Sequence, residues 1–295
     1  MSEDVATRRE RARDVLRTLS GSEQGARALE TFFEGRGAVG ELAMLVGAGE
    51  IWARDDLRRR DRSVVVISML AALGRERELE QHLAGGLHHG LSPDELDEIV
   101  LQIAVYAGLP FGLAASGVAE RVMADRASAT ERAHRPAPLA PKPPAARRAA
   151  GLDVLKTLLG APELDLEATE TSILEQQGAI GELVMDYAFG DVWSRPGLSR
   201  RDRSLVVISV LTALHLPHEL EIHLAGALHH GVTPGEIEAV LLTAVAYCGF
   251  PRAIDGMLLA RKVFAAAGVS TGSGSGTGTA RRVDLDSGDE EGRPA

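Results

Sequence analysis

Two histidines of this sequence each stand four residues after a glutamate: Glu78 and His82, then Glu219 and His223. On a helix, residues four apart share a face, so a carboxylate there can fix an imidazole tautomer and raise its basicity, as a proton-transfer group requires. His89 and His230 lie seven residues further on and return to that face, whereas His88 and His229 are rotated away from it. For an isolated Glu and His, an exposed helix pair is the simpler reading; recurrence within an apolar helix favours a site. Glu78, His82 and His89, repeated by Glu219, His223 and His230, are also metal-ligand types, and a metal centre is a rival reading that lacks a further ligand from another segment. Aromatic residues make up only 4% of the chain, so Trp52, Trp193, Tyr106 and Tyr247 are pointed choices that either wall a pocket or serve as packing, packing being the favoured role for the tryptophans.

The segments carrying these residues read as helices. Glu76 to His89 sets Leu79, Leu83 and Leu87 at helical spacing and stops at Gly90, with Gly231 repeating the stop. Ser92-Pro93-Asp94-Glu95 offers an N-cap, a proline at the first helical position and a carboxylate three residues on; Thr233-Pro234-Gly235-Glu236 repeats it. That helix carries Leu96, Ile99, Val100, Ile103 and Tyr106 until Gly108 and Pro110 break it. Ser63 to Leu73 is apolar enough for a strand, yet its helical flanks and the absence of turn residues in Ser204 to Leu214 favour a buried helix. The expected fold class is all-α, with two tandem helical bundles.

The two sets of residues belong to one duplicated unit. Trp52 to Met123 overlies Trp193 to Phe264 at a constant offset of about 141 residues, with about half of the paired positions identical. Arg59-Arg60-Asp61-Arg62-Ser63 recurs as Arg200-Arg201-Asp202-Arg203-Ser204. The period exceeds that of stacked solenoid repeats, so the duplication is of a domain. Residues 1–132 form the first unit, 133–150 a linker, 151–267 the second unit and 268–295 a tail. Pro136, Pro138, Pro141, Pro143 and Pro144 give the linker its extended character, and the Gly/Ser/Thr run followed by Asp284, Asp286, Asp289, Glu290 and Glu291 predicts a disordered tail. Cys248 aligns with Ala107, so no mechanism common to both copies depends on a thiol.

The order Trp-x-Arg, Leu-x-Arg-Arg-x-Arg-Ser, Glu-Leu-x-x-His, a Gly stop, Ser/Thr-Pro-x-Glu and Tyr-x-Gly-x-Pro resembles the carboxymuconolactone decarboxylase family, in both copies. The related alkylhydroperoxidase D-like branch needs two cysteines ahead of the histidine, where this chain has Arg75 and Glu78, then Leu216 and Glu219. Thiol peroxidase chemistry is thereby excluded. The resemblance implies loss of carbon dioxide from an unsaturated lactone, with the electron pair passing through the ring alkene into the lactone carbonyl and no cofactor required. A protein doing this supplies a cation for the remaining substrate carboxylate, donors for the developing dienolate and an acid that protonates carbon. Arginine grips a carboxylate with a planar fork, so Arg54 and Arg195, backed by Arg62 and Arg203, are the expected substrate cations; solvated surface charge is their alternative role. His82 and His223 become the proton-transfer groups, Glu78 and Glu219 their partners. His89, His230, Trp52, Trp193, Tyr106 and Tyr247 are the expected further lining. A family asparagine before the Gly stop is replaced here by His89 and His230, which leaves the substrate open. A repurposed enzyme acting on another lactone or keto acid, or a non-catalytic scaffold, remains the alternative.

The 295 residues carry a net charge of -10, which provides no field for phosphate backbones and argues against a nucleic-acid partner. The charged N-terminus and the lack of long apolar runs argue against a signal peptide or membrane span, and a single cysteine suits a reducing compartment; a cytoplasmic location is expected. Single-copy relatives commonly form three-fold rings of paired subunits, so the resemblance implies a homotrimer of six units in which the faces of Val64 to Leu73 and Leu205 to Leu214 are partly used between units; a closed monomer, whose two copies bury those faces only against each other, is the rival arrangement.

Overall fold

Both capping signals fold as full reciprocal boxes. Ser92 Oγ accepts from the Glu95 amide at 3.2 Å while Glu95 Oε2 accepts from the Ser92 amide at 2.8 Å, and Thr233 and Glu236 repeat both bonds at the same distances. In the computed structural model, which describes residues 4–126, 134–140 and 142–269, these boxes open the sixth helix of the first copy and its counterpart in the second. The first copy runs α1 (Val5–Ser20), α2 (Glu23–Glu34), α3 (Gly37–Leu42), a π-helical segment π1 (Ala43–Trp52), α4 (Arg59–Ala72), α5 (Glu76–His88), α6 (Pro93–Ala107) and α7 (Leu109–Arg126). The second repeats the order as α8 (Pro144–Leu159), α9 (Leu166–Gln177), α10 (Ala179–Leu183), π2 (Val184–Trp193), α11 (Arg200–Leu214), α12 (Pro217–His229), α13 (Pro234–Cys248) and α14 (Phe250–Ala267). No strand occurs among the described residues.

Ser63 to Leu73 is helical, as expected, and a helix that is apolar all round must be buried on every side. Val64, Val65, Val66 and Ile67 in α4, and Leu205, Val206, Val207 and Ile208 in α11, have no exposed surface. They reach this state because α4 and α11 pack on each other, with α6 and α13 crossing between copies onto them. The two tandem bundles therefore share one continuous core. The faces of Val64 to Leu73 and Leu205 to Leu214 are thus used between the two units of one chain, α4 against α11.

Polar contacts across the same seam are reciprocal, as a two-fold relation between similar units demands. Arg60 bonds Asp202 at 3.0 Å and Arg201 bonds Asp61 at 3.0 Å. Arg62 donates to Thr243 Oγ1 at 2.8 Å, and Arg203 to Gln102 Oε1 at 3.0 Å.

The segment read as a linker is shorter in the structure. Residues 134–140 lack regular structure, but α8 begins at Pro144, whose fixed φ and missing N–H suit the first turn of a helix. Residues 127–133, 141 and the expected tail from residue 270 onward lie outside the described residues. No described helix is long and apolar enough to cross a membrane.

The first helix of each copy presses closely on the histidine helix. A Cβ at Gly85 or Gly226 would stand 2.2 Å from a methyl of Leu19 or Leu158, so a larger residue there would have to displace that leucine side chain.

Candidate active site

Trp52 ends π1 and His82 lies in the middle of α5, each on an element whose apolar face is locked into the core. The wider π turn shifts residues relative to an α-helix and is found disproportionately at functional sites. Trp52 stacks on His82 with ring centroids 5.6 Å apart and 23° between planes, and His89 lies tilted behind it at 5.8 Å. The third partner comes from the other copy: Tyr247, on α13, meets the His82 ring edge-on at 5.4 Å. Trp52 Nε1–H donates to Tyr247 Oη at 2.8 Å, and Tyr247 Oη lies 3.2 Å from His82 Nε2.

A cavity of about 220 Å³ opens on this cluster. Trp52, His82, Tyr247 and Glu78 line it together with Phe32, Phe33, Ala43, Gly47, Ala48, Arg77 and Gln81. Larger depressions of about 600, 510, 420 and 330 Å³ lie elsewhere, the first two on the faces of α12 and α14 and beside α6 and α7; none of these four is lined by the aromatic–histidine clusters.

His82 is buried, and its Nδ1 has no partner. A bare lone pair is tolerated there more easily than an orphaned N–H, which assigns the ring proton to Nε2, donating to Tyr247. The Tyr247 oxygen then accepts two hydrogen bonds, leaving its own O–H to donate to a molecule in the cavity. Burial, with the neighbouring His89, pushes the His82 imidazole down to about 3, so it is neutral at ordinary pH. Burial also raises the Tyr247 hydroxyl, opposed by the Trp52 hydrogen bond and by Arg62. His89 is pushed down to about 4 by burial, then by Arg59 and His88. Ser63 Oγ holds its Nδ1 at 2.8 Å and Thr18 Oγ1 its Nε2 at 3.2 Å.

The second copy gathers the same residue types. Trp193 stacks on His223 at 6.1 Å and lies 5.5 Å from His230, and Trp193 Nε1–H donates at 2.8 Å to Tyr106 Oη, contributed by the first copy. Tyr106 meets His223 edge-on at 5.1 Å, with no hydrogen bond between them. Burial, then His230, pushes His223 down to about 3, and His230 falls to about 4 through burial, Arg200 and His229.

Several sequence expectations are corrected by these positions. Glu78 and Glu219 share a helix face with the histidines but are exposed and do not bond them; the buried Nδ1 of His82 and of His223 is unpartnered. The carboxylate leaves for water because nothing in the core compensates its desolvation. The Glu78, His82 and His89 set does not converge on a common point, since His89 is held by Ser63 and Thr18; among the described residues the three-ligand cluster is the unrelated Asp94, Asp97 and His134.

None of the four arginines lines the Trp52–His82 cavity. Arg62 and Arg203 are fully buried; Arg62 is held by Asp56 at 2.8 Å, and Arg203 by Glu98 at 2.6 Å. Arg54 pairs with Asp56. Arg195 pairs with Glu98 at 2.6 Å, beside the depression at α6 and α7. The cation at the cavity is Arg77, over the Phe32 ring at 5.5 Å. A helical wheel through His82 reaches Glu78 and Gln81, with Arg77 at its margin; Phe32 and Phe33 carry no such signal, because α2 comes from elsewhere in the chain.

A duplicated all-α chain whose paired Trp–His–Tyr clusters are completed across the two copies defines the class. The sequence pattern of the carboxymuconolactone decarboxylase family matches residues 38–121 and again 178–262, and the chain belongs to that family. It is 45% identical over 87 residues to a 4-carboxymuconolactone decarboxylase of Acinetobacter baylyi, an alignment covering 30% of this chain and 65% of that protein. It is 35% identical over 112 residues to a nitrosuccinic acid decarboxylase of Metarhizium robertsii, covering 38% of this chain and 77% of that protein.

Proposed function

We propose that the chain is a decarboxylase of a small activated carboxylic acid, 4-carboxymuconolactone or a close analogue, acting in the Trp52–His82–Tyr247 cavity without a cofactor. The observation that carries this reading is the hydrogen-bonded sequence Trp52, Tyr247, His82 in the wall of a cavity whose rim bears Arg77. Arg77 takes the carboxylate that is retained. The carboxylate that leaves breaks its carbon–carbon bond as carbon dioxide, and the electron pair moves through the alkene into the lactone carbonyl. The dienolate is then protonated at carbon by the Tyr247 O–H, while Trp52 Nε1–H and His82 Nε2–H stabilise the phenolate until solvent returns its proton. His82, being neutral, acts as a donor to tyrosine and not as the primary acid. The aromatic walls exclude water and strengthen each of these interactions.

The acids named for the two relatives share one requirement, an adjacent π acceptor for the electron pair: a conjugated lactone in one, a nitro group in the other. Both fit a site that supplies hydrogen-bond donors and a cation. A place in the breakdown of aromatic compounds, a cytoplasmic location and a trimeric assembly belong to the same proposal. Carbon dioxide release from 4-carboxymuconolactone and from nitrosuccinate, measured on the full chain, tests it. Release above the uncatalysed rate from at least one acid is expected, and no release from either would overturn the reading.

A further inference from the structure

The duplication invites the assumption that both clusters turn over substrate, but their walls differ where ligand space is made. Ala43, Gly47 and Ala48 line the first cavity from π1. At the same register before Trp193, π2 carries Val184, Ala188 and Phe189. Each replacement is larger. Phe189 is the decisive one, because it stands four residues before Trp193 as Ala48 stands four before Trp52, and its ring is 7% exposed and packed in the core. A cavity of about 150 Å³ accommodates a benzene molecule, so a phenyl side chain takes most of the space of the first cavity, about 220 Å³. The rim changes too: Arg77 and Gln81 become His218 and Ile222, which removes the guanidinium that a carboxylate would meet. The hydrogen bond between histidine and tyrosine, donated by His82 Nε2–H to Tyr247 Oη, has no counterpart between His223 and Tyr106.

We infer that, of the two clusters, only that of Trp52, His82 and Tyr247 has a ligand-receiving pocket, and that Phe189 closes its counterpart. The second cluster keeps its aromatic and histidine residues because they seal the core, while the second copy supplies, through α13, the tyrosine of the first. Position 48 and its counterpart 189 thereby decide which copy receives substrate.

The occupancy of the two sites can be read without knowing the substrate, and only the activity readout rests on the proposed decarboxylation. Crystals of the full-length protein pressurised with xenon, which enters apolar cavities of this size, should show the gas beside Trp52 and none beside Trp193. Phe189→Ala should gain the second site, and Ala48→Phe should lose the first. With 4-carboxymuconolactone and nitrosuccinate, Ala48→Phe should lower carbon dioxide release more than tenfold. Xenon at both clusters of the parent protein, no new site in Phe189→Ala, or half the activity retained in Ala48→Phe would each overturn the inference. The expected xenon pattern with no release from either acid would sustain the single pocket and remove the proposed activity.

Discussion

Replacing Tyr247 with phenylalanine removes one oxygen and leaves the ring in place. In the structure that oxygen is the sole acceptor for Trp52 Nε1–H, at 2.8 Å on a tryptophan only 3% exposed, and it also lies 3.2 Å from His82 Nε2. Tyr247→Phe strands the indole donor, and an unsatisfied buried donor costs about 1–3 kcal/mol. Denaturant titration should register that loss as a lower midpoint with an unchanged slope. The chemical consequence is separate and larger. If the hydroxyl protonates carbon, its removal should lower kcat about 100- to 10,000-fold, with KM little changed because Arg77 and the aromatic walls remain. Tyr106→Phe strands Trp193 through the same 2.8 Å bond and is the matched control: a similar loss of stability with a much smaller loss of rate. Steady-state carbon dioxide release by both variants decides the matter. A Tyr247→Phe enzyme that kept more than a tenth of kcat, or a Tyr106→Phe enzyme impaired as severely, would refute the assignment of the proton donor.

The two classes of arginine should separate in the same assays. Arg77→Gln is expected to raise KM at least tenfold with little change in stability, since Arg77 is exposed at the rim; Arg62→Met should cost about 1.5–3 kcal/mol of folding free energy by removing the charged hydrogen bonds to Asp56 and Thr243. Stability should also depend on pH through the buried histidines. His82 and His223 are held down to about 3, and His89 and His230 to about 4. The unfolded chain binds their protons near pH 6.5 and the folded chain does not, so stability is full above about 6.5 and falls below it, by about 1.4 kcal/mol per pH unit for each histidine. Urea midpoints that stayed flat from pH 7 to 5 would contradict this burial. For assembly, the exposed apolar residues Leu109 and Leu113 on α7 and Phe250 and Leu258 on α14, with Val39 and Leu42 on α3 and Ile180 and Leu183 on α10, are open to a neighbour, and light scattering should report a trimer; a mass near 31.3 kDa at micromolar concentration would rule it out.

The sequence by itself determined the helices, their ends and the duplication, because these rest on local rules. The Ser92 and Thr233 boxes, the Gly90 and Gly231 stops and the apolar run of α4 each act within a few residues, and backbone satisfaction leaves little freedom there. Spacing also brought Trp52, His82 and Tyr247 to notice as types, together with their counterparts. What the tertiary structure decided was partnership. Glu78 shares a helix face with His82 yet faces water, since a carboxylate gains more from solvent than from a buried ring nitrogen. Arg62, which matched the motif, is consumed by the seam between copies, and Arg77, which matched none, stands at the cavity. Above all, Tyr247 serves the histidine of the other copy, a pairing set by the packing of α4 on α11 and of α13 across it. No local pattern encodes that exchange: two similar units bury their apolar helices against each other with reciprocal contacts, and the position of each tyrosine follows from the association, not from its own neighbours in the chain.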